Sequence, residues 1–292
     1  MYNRVDALIN TVDESPEISP ERRKRLEQII GVFLYYAHAI DSTMLMKVTQ
    51  LASLQANPTE AVEAAVNRFL EYAATWPNAS IVFHASDMVL HKQSDASYLS
   101  ESHGRSRVGG FSYLGTKAML YEPNAAPSPI NGAIAVRSSI IDVVVSSATE
   151  AEYAGYFING KDAEVERTTL ADMGYPQGTT YIQGDNELAI AIGNDQVKQK
   201  RSRSMDMRFH WIRDRSRQQH LALYCRKGVD NLADFFTKNH PPKHFKAMRR
   251  FFVYDPPGLQ QRDSARSRRL VKRGALLNSL RGCVNVPRRA SD

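Results

Sequence analysis

Residues 146–195 read SSATEAEYAGYFINGKDAEVERTTLADMGYPQGTTYIQGDNELAIAIGND. The stretch from Ser146 to Gly174 reads as a helix that ends at its glycine. TTYIQGD, ending at Asp185, reads as a strand, and NELAIAIGND as a short helix. Helix, strand and helix in succession predict a mixed α/β architecture.

Upstream, β-type runs appear at 80–84, 88–94, 108–114 and 133–139, punctuated by Gly104, Gly109, Gly110 and Gly115. Downstream, MDMRFHWIRDRSRQQ reads as a helix, LALYCRK as a strand and DNLADFFTK as a last helix. The first 80 residues read as helical and carry no cluster of chemistry. Ser19-Pro20-Glu21 is a helix start, a second helix runs around 43–55, and a third begins at Asn57-Pro58-Thr59. Past Asp255-Pro256-Pro257 the chain is rich in Arg and Ser and reads as a disordered tail.

The chain of 292 residues is 42% hydrophobic, enough for a packed core, and carries a net charge of +7. From Gln261 to Asp292 nine basic residues face two acids, so the tail alone holds +7 and the rest sums to about zero. An acidic partner such as nucleic acid is therefore suggested only weakly by composition. Cys225 and Cys283 sit in no zinc or disulfide spacing, and a reducing compartment fits. No apolar run reaches membrane-spanning length and the N-terminus has no signal-peptide pattern. The expected location is the cytoplasm, with the nucleus as the alternative raised by the basic tail.

Four acids fall in four separate elements: Asp95 at the end of the first strand, Glu152 in the first turns of the long helix, Asp185 at a strand end and Asp234 in the last helix. Strand ends and helix starts are where an open sheet exposes functional groups. Four converging carboxylates would repel one another unless cations lay between them, and hard divalent ions prefer oxygen ligands. On spacing alone, solvated acids and helix N-terminal charges explain the same residues. Glu150 is better read as such a helix charge than as a ligand.

Local sequence narrows the choice. Ser94-Asp95-Ala96-Ser97 followed by Arg105–Phe111 (RSRVGGF), Ser146–Tyr153 (SSATEAEY), Gly184–Ile190 (GDNELAI), Arg201–Ile212 (RSRSMDMRFHWI) and Asn231–Lys238 (NLADFFTK) occur in order over roughly 150 residues. Together they resemble the ribonuclease H domain of copia-type LTR retrotransposon Pol polyproteins. The helical segments RLEQIIGVFLYYAHAIDSTM and AVNRFLEYAATWP resemble the connection between reverse transcriptase and ribonuclease H in that family. No Tyr-x-Asp-Asp motif is present.

The resemblance implies a ribonuclease H-like mixed five-stranded sheet flanked by helices, preceded by a small helical module. It divides the chain into residues 1–80, a reverse-transcriptase connection remnant; 81–240, the ribonuclease H-like domain; and 241–292, a helical extension and the basic tail. It implies hydrolysis of the RNA strand of an RNA–DNA hybrid by two Mg²⁺ ions, with Mn²⁺ as a substitute. Asp95, Glu152, Asp185 and Asp234 would be the catalytic and metal-binding residues. The reverse-transcriptase half of the polyprotein would be a partner, and a membrane would not. The alternative is an inactive, nucleic-acid-binding remnant of a retroelement.

For the hybrid, Lys198, Lys200, Arg201, Arg203, Arg213 and Arg217 are the expected nucleic-acid contacts, the last two sharing a helix face at four-residue spacing. Gly109-Gly110 would let backbone approach a duplex. Trp211, Phe209 and Tyr224 read as core. Two departures from the family pattern stand out: Ser204 replaces a frequent His, and the loop Arg226–Asp230 lacks the His that cellular enzymes carry. His210 and His220 are the nearby substitutes to test.

Overall fold

The computed structural model describes residues 13–116, 130–196 and 207–255. Three helices lie ahead of the sheet in the chain: α1 (Pro20–Ala39), α2 (Leu45–Ser53) and α3 (Glu60–Ala73). Their starts follow the local chemistry. Ser19 caps α1 by accepting from the Arg22 amide, and Thr59 caps α3 by accepting from Val62.

Three strands follow, β1 (Val89–Glu101), β2 (Arg105–Gly115) and β3 (Ala133–Ile140), then the long helix α4 (Ala148–Asp172). The remainder is β4 (Thr180–Gly184), α5 (Glu187–Gly193), α6 (Met207–Arg217), β5 (Leu221–Cys225), a 3-10 helix over Leu232–Phe236, and α7 (Pro242–Arg249). The sheet order is β3-β2-β1-β4-β5. β1, β2 and β3 are antiparallel neighbours, whereas β4 and β5 run parallel to β1. This is the mixed five-stranded sheet with flanking helices, preceded by a helical module, that the sequence led us to expect.

Two boundaries differ from the sequence reading. Residues 80–84 form no strand; Ser80 makes an isolated bridge to Tyr254, and the His84 backbone is held by the Asn131 side chain through both its N–H and its C=O. A side-chain amide thus meets the hydrogen-bonding need that a neighbouring strand would otherwise fill. β1 also runs well past residue 94, because β2 pairs with it through Ser97↔Arg107 and beyond. Asp95 therefore lies inside a strand and not at its end.

The strand register sorts the two sheet faces. Asp95 opposes Gly109, which opposes Ser138, and Gln93 opposes Phe111, which opposes Val136. Alternation puts these residues on one face with Arg107 and Tyr113. That face packs on the N-terminal helices, the 3-10 helix and α7. A single apolar cluster joins Leu26, Phe33 and Phe69 to Phe111, Phe236 and Phe252. The opposite face packs on α4: Asn159 of α4 donates to Ser94 Oγ, and Gly155 approaches Ser94 and Ala96.

Buried charge also ties the N-terminal helices to α7. Arg249 donates from Nη1 to Asp41 Oδ2 at 2.8 Å and to Thr43 Oγ1 at 2.6 Å, and from Nε to Asp255 Oδ2 at 2.8 Å. Among the described residues, no helix is long and apolar enough to cross a membrane.

Candidate metal centre

The site forms where β4 stops and β1 continues. The last pair between them is Gln93↔Gln183. Asp95 and Asp185 each lie two residues further on, so the parallel register sets them side by side on one face. Past that point β1 has an open flank. Glu152 enters it from α4, its Oε1 accepting from the Ala96 amide at 3.2 Å. Carboxylate oxygens of Asp95, Glu152 and Asp185 all lie within 4.8 Å of one another.

The fourth acid stands beside this trio and not within it. Asp234 sits in the 3-10 helix, and its carboxylate is paired with Lys238. Two glutamines hold the loop that delivers it: Gln93 Oε1 accepts from the Leu232 amide at 2.7 Å, and Gln183 Nε2 donates to the Asp230 carbonyl at 2.9 Å. Gly109 is what lets this turn lie flat on β2, since a methyl group there would overlap the Ala233 carbonyl oxygen. Thr237 closes the turn and donates from Oγ1 to Asp95 Oδ2 at 2.5 Å.

The electrostatics follow from crowding acids in a dry place. Burial, with the carboxylates of Asp95, Asp185 and Asp234, pushes Glu152 up to about 9. Burial also pushes Asp95 up to about 6, against the Thr237 hydrogen bond and with the help of Asp234 and Asp185. Glu152 Oε2 is buried with no hydrogen-bond partner. An oxygen-rich pocket with an unsatisfied buried carboxylate atom suits a hard divalent cation.

Comparison with known proteins finds 27% identity over 190 residues to the Retrovirus-related Pol polyprotein from transposon TNT 1-94 of Nicotiana tabacum. The chain is similar to a retrotransposon Pol polyprotein. The match covers 65% of this chain and 13% of the length of that polyprotein. No family model matches. Solved structures that resemble it include the RNase H1 LC11, determined in complex with an RNA/DNA hybrid, at 14% identity and TM-score 0.35, covering 51% of this chain and 93% of that one. RNase H1 of Halobacterium salinarum is another, at 15% identity and TM-score 0.31, covering 51% and 94%.

Lys198, Lys200, Arg201, Arg203 and Ser204, and the tail from residue 256, lie outside the described residues. Arg213 and Arg217 do share a face of α6, and both pair with Asp195 at the end of α5. Arg217 remains exposed and Arg213 is mostly covered. Gly109 and Gly110 do not offer backbone to a duplex: both are buried, Gly109 under Ala233 and Gly110 under Asn159. Close packing inside the molecule is what requires them.

His220 bonds to Glu164, three turns further along α4 than Glu152 and about 18 Å away at 1.5 Å per residue, so it does not serve the acidic cluster. His210 is exposed on α6. The loop after β5 does border the site, since a methyl group on Gly228 would stand 2.9 Å from Asp185 Oδ2. Glu150 caps the helix, accepting from Ser146 N and Oγ at 2.7 Å each, as a helix-end acid should. Trp211 packs on Phe157 at the margin of the core, and the Tyr224 hydroxyl donates to Gln183. Sequence reasoning missed Gln93, Gln183 and Thr237. Thr237 lies within the NLADFFTK block, but nothing in one sequence separates it from its neighbours.

Proposed function

We propose that this chain is a ribonuclease H-type endonuclease that hydrolyses the RNA strand of an RNA–DNA hybrid using divalent ions, Mg²⁺ first and Mn²⁺ as a substitute. The observation that carries the proposal is the meeting of Asp95, Glu152 and Asp185, from two strand regions and a helix, within 4.8 Å. The hybrid as substrate rests on the five sequence blocks and on the Pol relative. A reverse-transcriptase half is the corresponding partner, and residues 1–80 would be the connection to it.

Asp95, Glu152 and Asp185 would hold the metal, with Asp234 as the fourth ligand. When bound, a pair of such ions would supply an acidified water and stabilise the departing 3′ oxygen. The protein's own groups set the stage. Thr237 fixes the Asp95 rotamer by its hydrogen bond. A cation held here would favour the ionised form of Glu152, so metal uptake would release protons. The Gly228 loop lies close against Asp185, so a side chain at this position would crowd that carboxylate.

The test is cleavage of a labelled hybrid in Mg²⁺, with a DNA duplex of the same sequence as control. The hybrid should be cut and the duplex left intact. Asp95→Asn should lower the rate about a thousandfold, since neutralising a carboxylate that would hold the metal costs several kcal/mol at about 1.4 kcal/mol per decade. Wild-type cleavage by Asp95→Asn would refute the assignment. An uncut hybrid, with no Mg²⁺-dependent rise in melting temperature, would favour the inactive remnant.

A further inference from the structure

A buried polar chain connects the N-terminal helices to the acidic centre. Arg107 of β2 is 1% exposed and Glu101 of β1 is 5% exposed. Arg107 Nε donates to Glu101 Oε1 at 2.5 Å. Its Nη1 donates at 3.0 Å both to Thr49 Oγ1 of α2 and to Ser138 Oγ of β3. On the helix side, Gln50 Nε2 donates to Glu101 Oε1 at 3.4 Å, and Lys47 Nζ to Gln50 Oε1 at 3.1 Å.

On the sheet side the chain continues. Ser138 Oγ donates to the Phe236 carbonyl at 2.7 Å. The next residue, Thr237, donates to Asp95 Oδ2, and its own carbonyl accepts from Ser97 Oγ at 2.9 Å. Four side chains thus lead from α2 to a ligand candidate: Thr49, Arg107, Ser138 and Thr237.

Stability alone is a poor reason for such a device. Burying an ion pair costs desolvation that apolar replacements avoid, and its better-attested use is to specify one arrangement of the parts it joins. Here the apolar cluster already holds the helices to the sheet. What the polar chain adds is a fixed register between α2 and the turn bearing Asp234 and Thr237. We propose that Arg107 is a positioning residue through which the N-terminal helices fix the placement of Asp95 and Asp234 via Ser138 and Thr237. This rests on the metal-site reading above.

The experiment uses the full chain and reads two quantities: the Mg²⁺ midpoint for thermal stabilisation, and kcat and KM on a labelled hybrid. Ser138→Ala breaks the link to Phe236 and leaves the Arg107–Glu101 pair. Thr49→Val breaks only the direct bond between α2 and Arg107. The double variant Arg107→Met with Glu101→Gln removes both charges at similar volume. Each should raise the Mg²⁺ midpoint about tenfold and lower kcat about tenfold at unchanged KM, as loss of a ligand's supporting partner does. Arg137→Met with Asp162→Asn, which removes an ion pair on the α4 side of the sheet, should leave both quantities unchanged. Should the double variant fail to fold, Ser138→Ala and Thr49→Val still decide. Wild-type midpoints and kcat in those two variants overturn the inference while leaving the metal site intact. A wild-type chain that shows no Mg²⁺ response overturns the metal site and the inference together, so the two failures are distinct.

Discussion

Glu101 and Glu152 are two glutamates buried to nearly the same depth, 5% and 7% exposed, and the molecule treats them oppositely. Glu101 receives Arg107 and Gln50, so its charge is met inside the fold. Glu152 receives one backbone amide, faces Asp95 and Asp185, and keeps an oxygen with no partner. A fold that can place an arginine against one glutamate leaves another among like charges. Desolvation and repulsion make that arrangement expensive unless a cation from solution completes it. Burial alone therefore does not mark the site; burial without an internal counter-charge does.

The sharpest way to break the comparison is to make the same substitution at both positions. Glu101→Gln leaves Arg107 charged and buried without its carboxylate, and should cost about 3–5 kcal/mol in a denaturant titration. Glu152→Gln should do the reverse in chelator, stabilising the metal-free protein by several kcal/mol at pH 8, at about 1.4 kcal/mol per pH unit above 4.5. The sign follows from proton binding. The Glu152 carboxyl is raised in the folded chain, to about 9 from 4.5, so the unfolded chain loses this proton first. The stability cost in wild type then grows as pH rises from about 4.5 to about 9 and vanishes below that window. Melting curves of the two proteins should converge near pH 4.5 and part toward pH 9. Added Mg²⁺ should close the gap by stabilising only wild type. Destabilisation by Glu152→Gln in chelator would contradict the contrast.

Gly109→Ala tests how firmly the fourth acid is delivered. Its methyl group would displace the Ala233 carbonyl and the turn, at about 1–3 kcal/mol of overpacking, with a weaker Mg²⁺ response. Unchanged melting and metal response would show that the turn's seat on β2 is not needed. The smallest effect is expected from Lys238→Ala. The ammonium is half exposed, so its pairing with Asp234 should be worth less than about 1 kcal/mol to stability. Removing this resident cation frees Asp234, and the Mg²⁺ midpoint should fall. A rise would mean that Lys238 assists the metal instead of competing with it.

Much of this architecture could be read from local chemistry. Ser19, Thr59, Ser147 and Asn186 each cap the helix they precede, through bonds formed within three residues of chain. The meeting of Asp95, Glu152 and Asp185 is foreshadowed by their positions in separate elements and by the sequence blocks around them. What sequence could not show depends on partners far along the chain. SDASYLSE has no strand-like alternation, and β1 extends through it only because β2 pairs with it. Residues 80–84 have the composition of a strand, yet Asn131 takes the backbone bonds of His84. Arg107 looks like one more basic residue near a glycine pair, and its burial follows from Thr49 and Ser138 lying on either side. The glycines themselves signalled close approach correctly, but the approaching groups were Ala233 and Asn159.

The Asp41–Arg249 contact bears on the order of events during synthesis. Its partners are 208 positions apart in the chain, and both are almost completely hidden. The helices around Asp41 leave the ribosome well before the arginine that neutralises it, 208 positions further on, and before Phe245 and Phe252 that complete their core. Contacts of such long range slow folding, because a large loop must close before they are rewarded. The nascent chain must therefore carry α1, α2 and α3 with an unfinished apolar surface until α7 is translated.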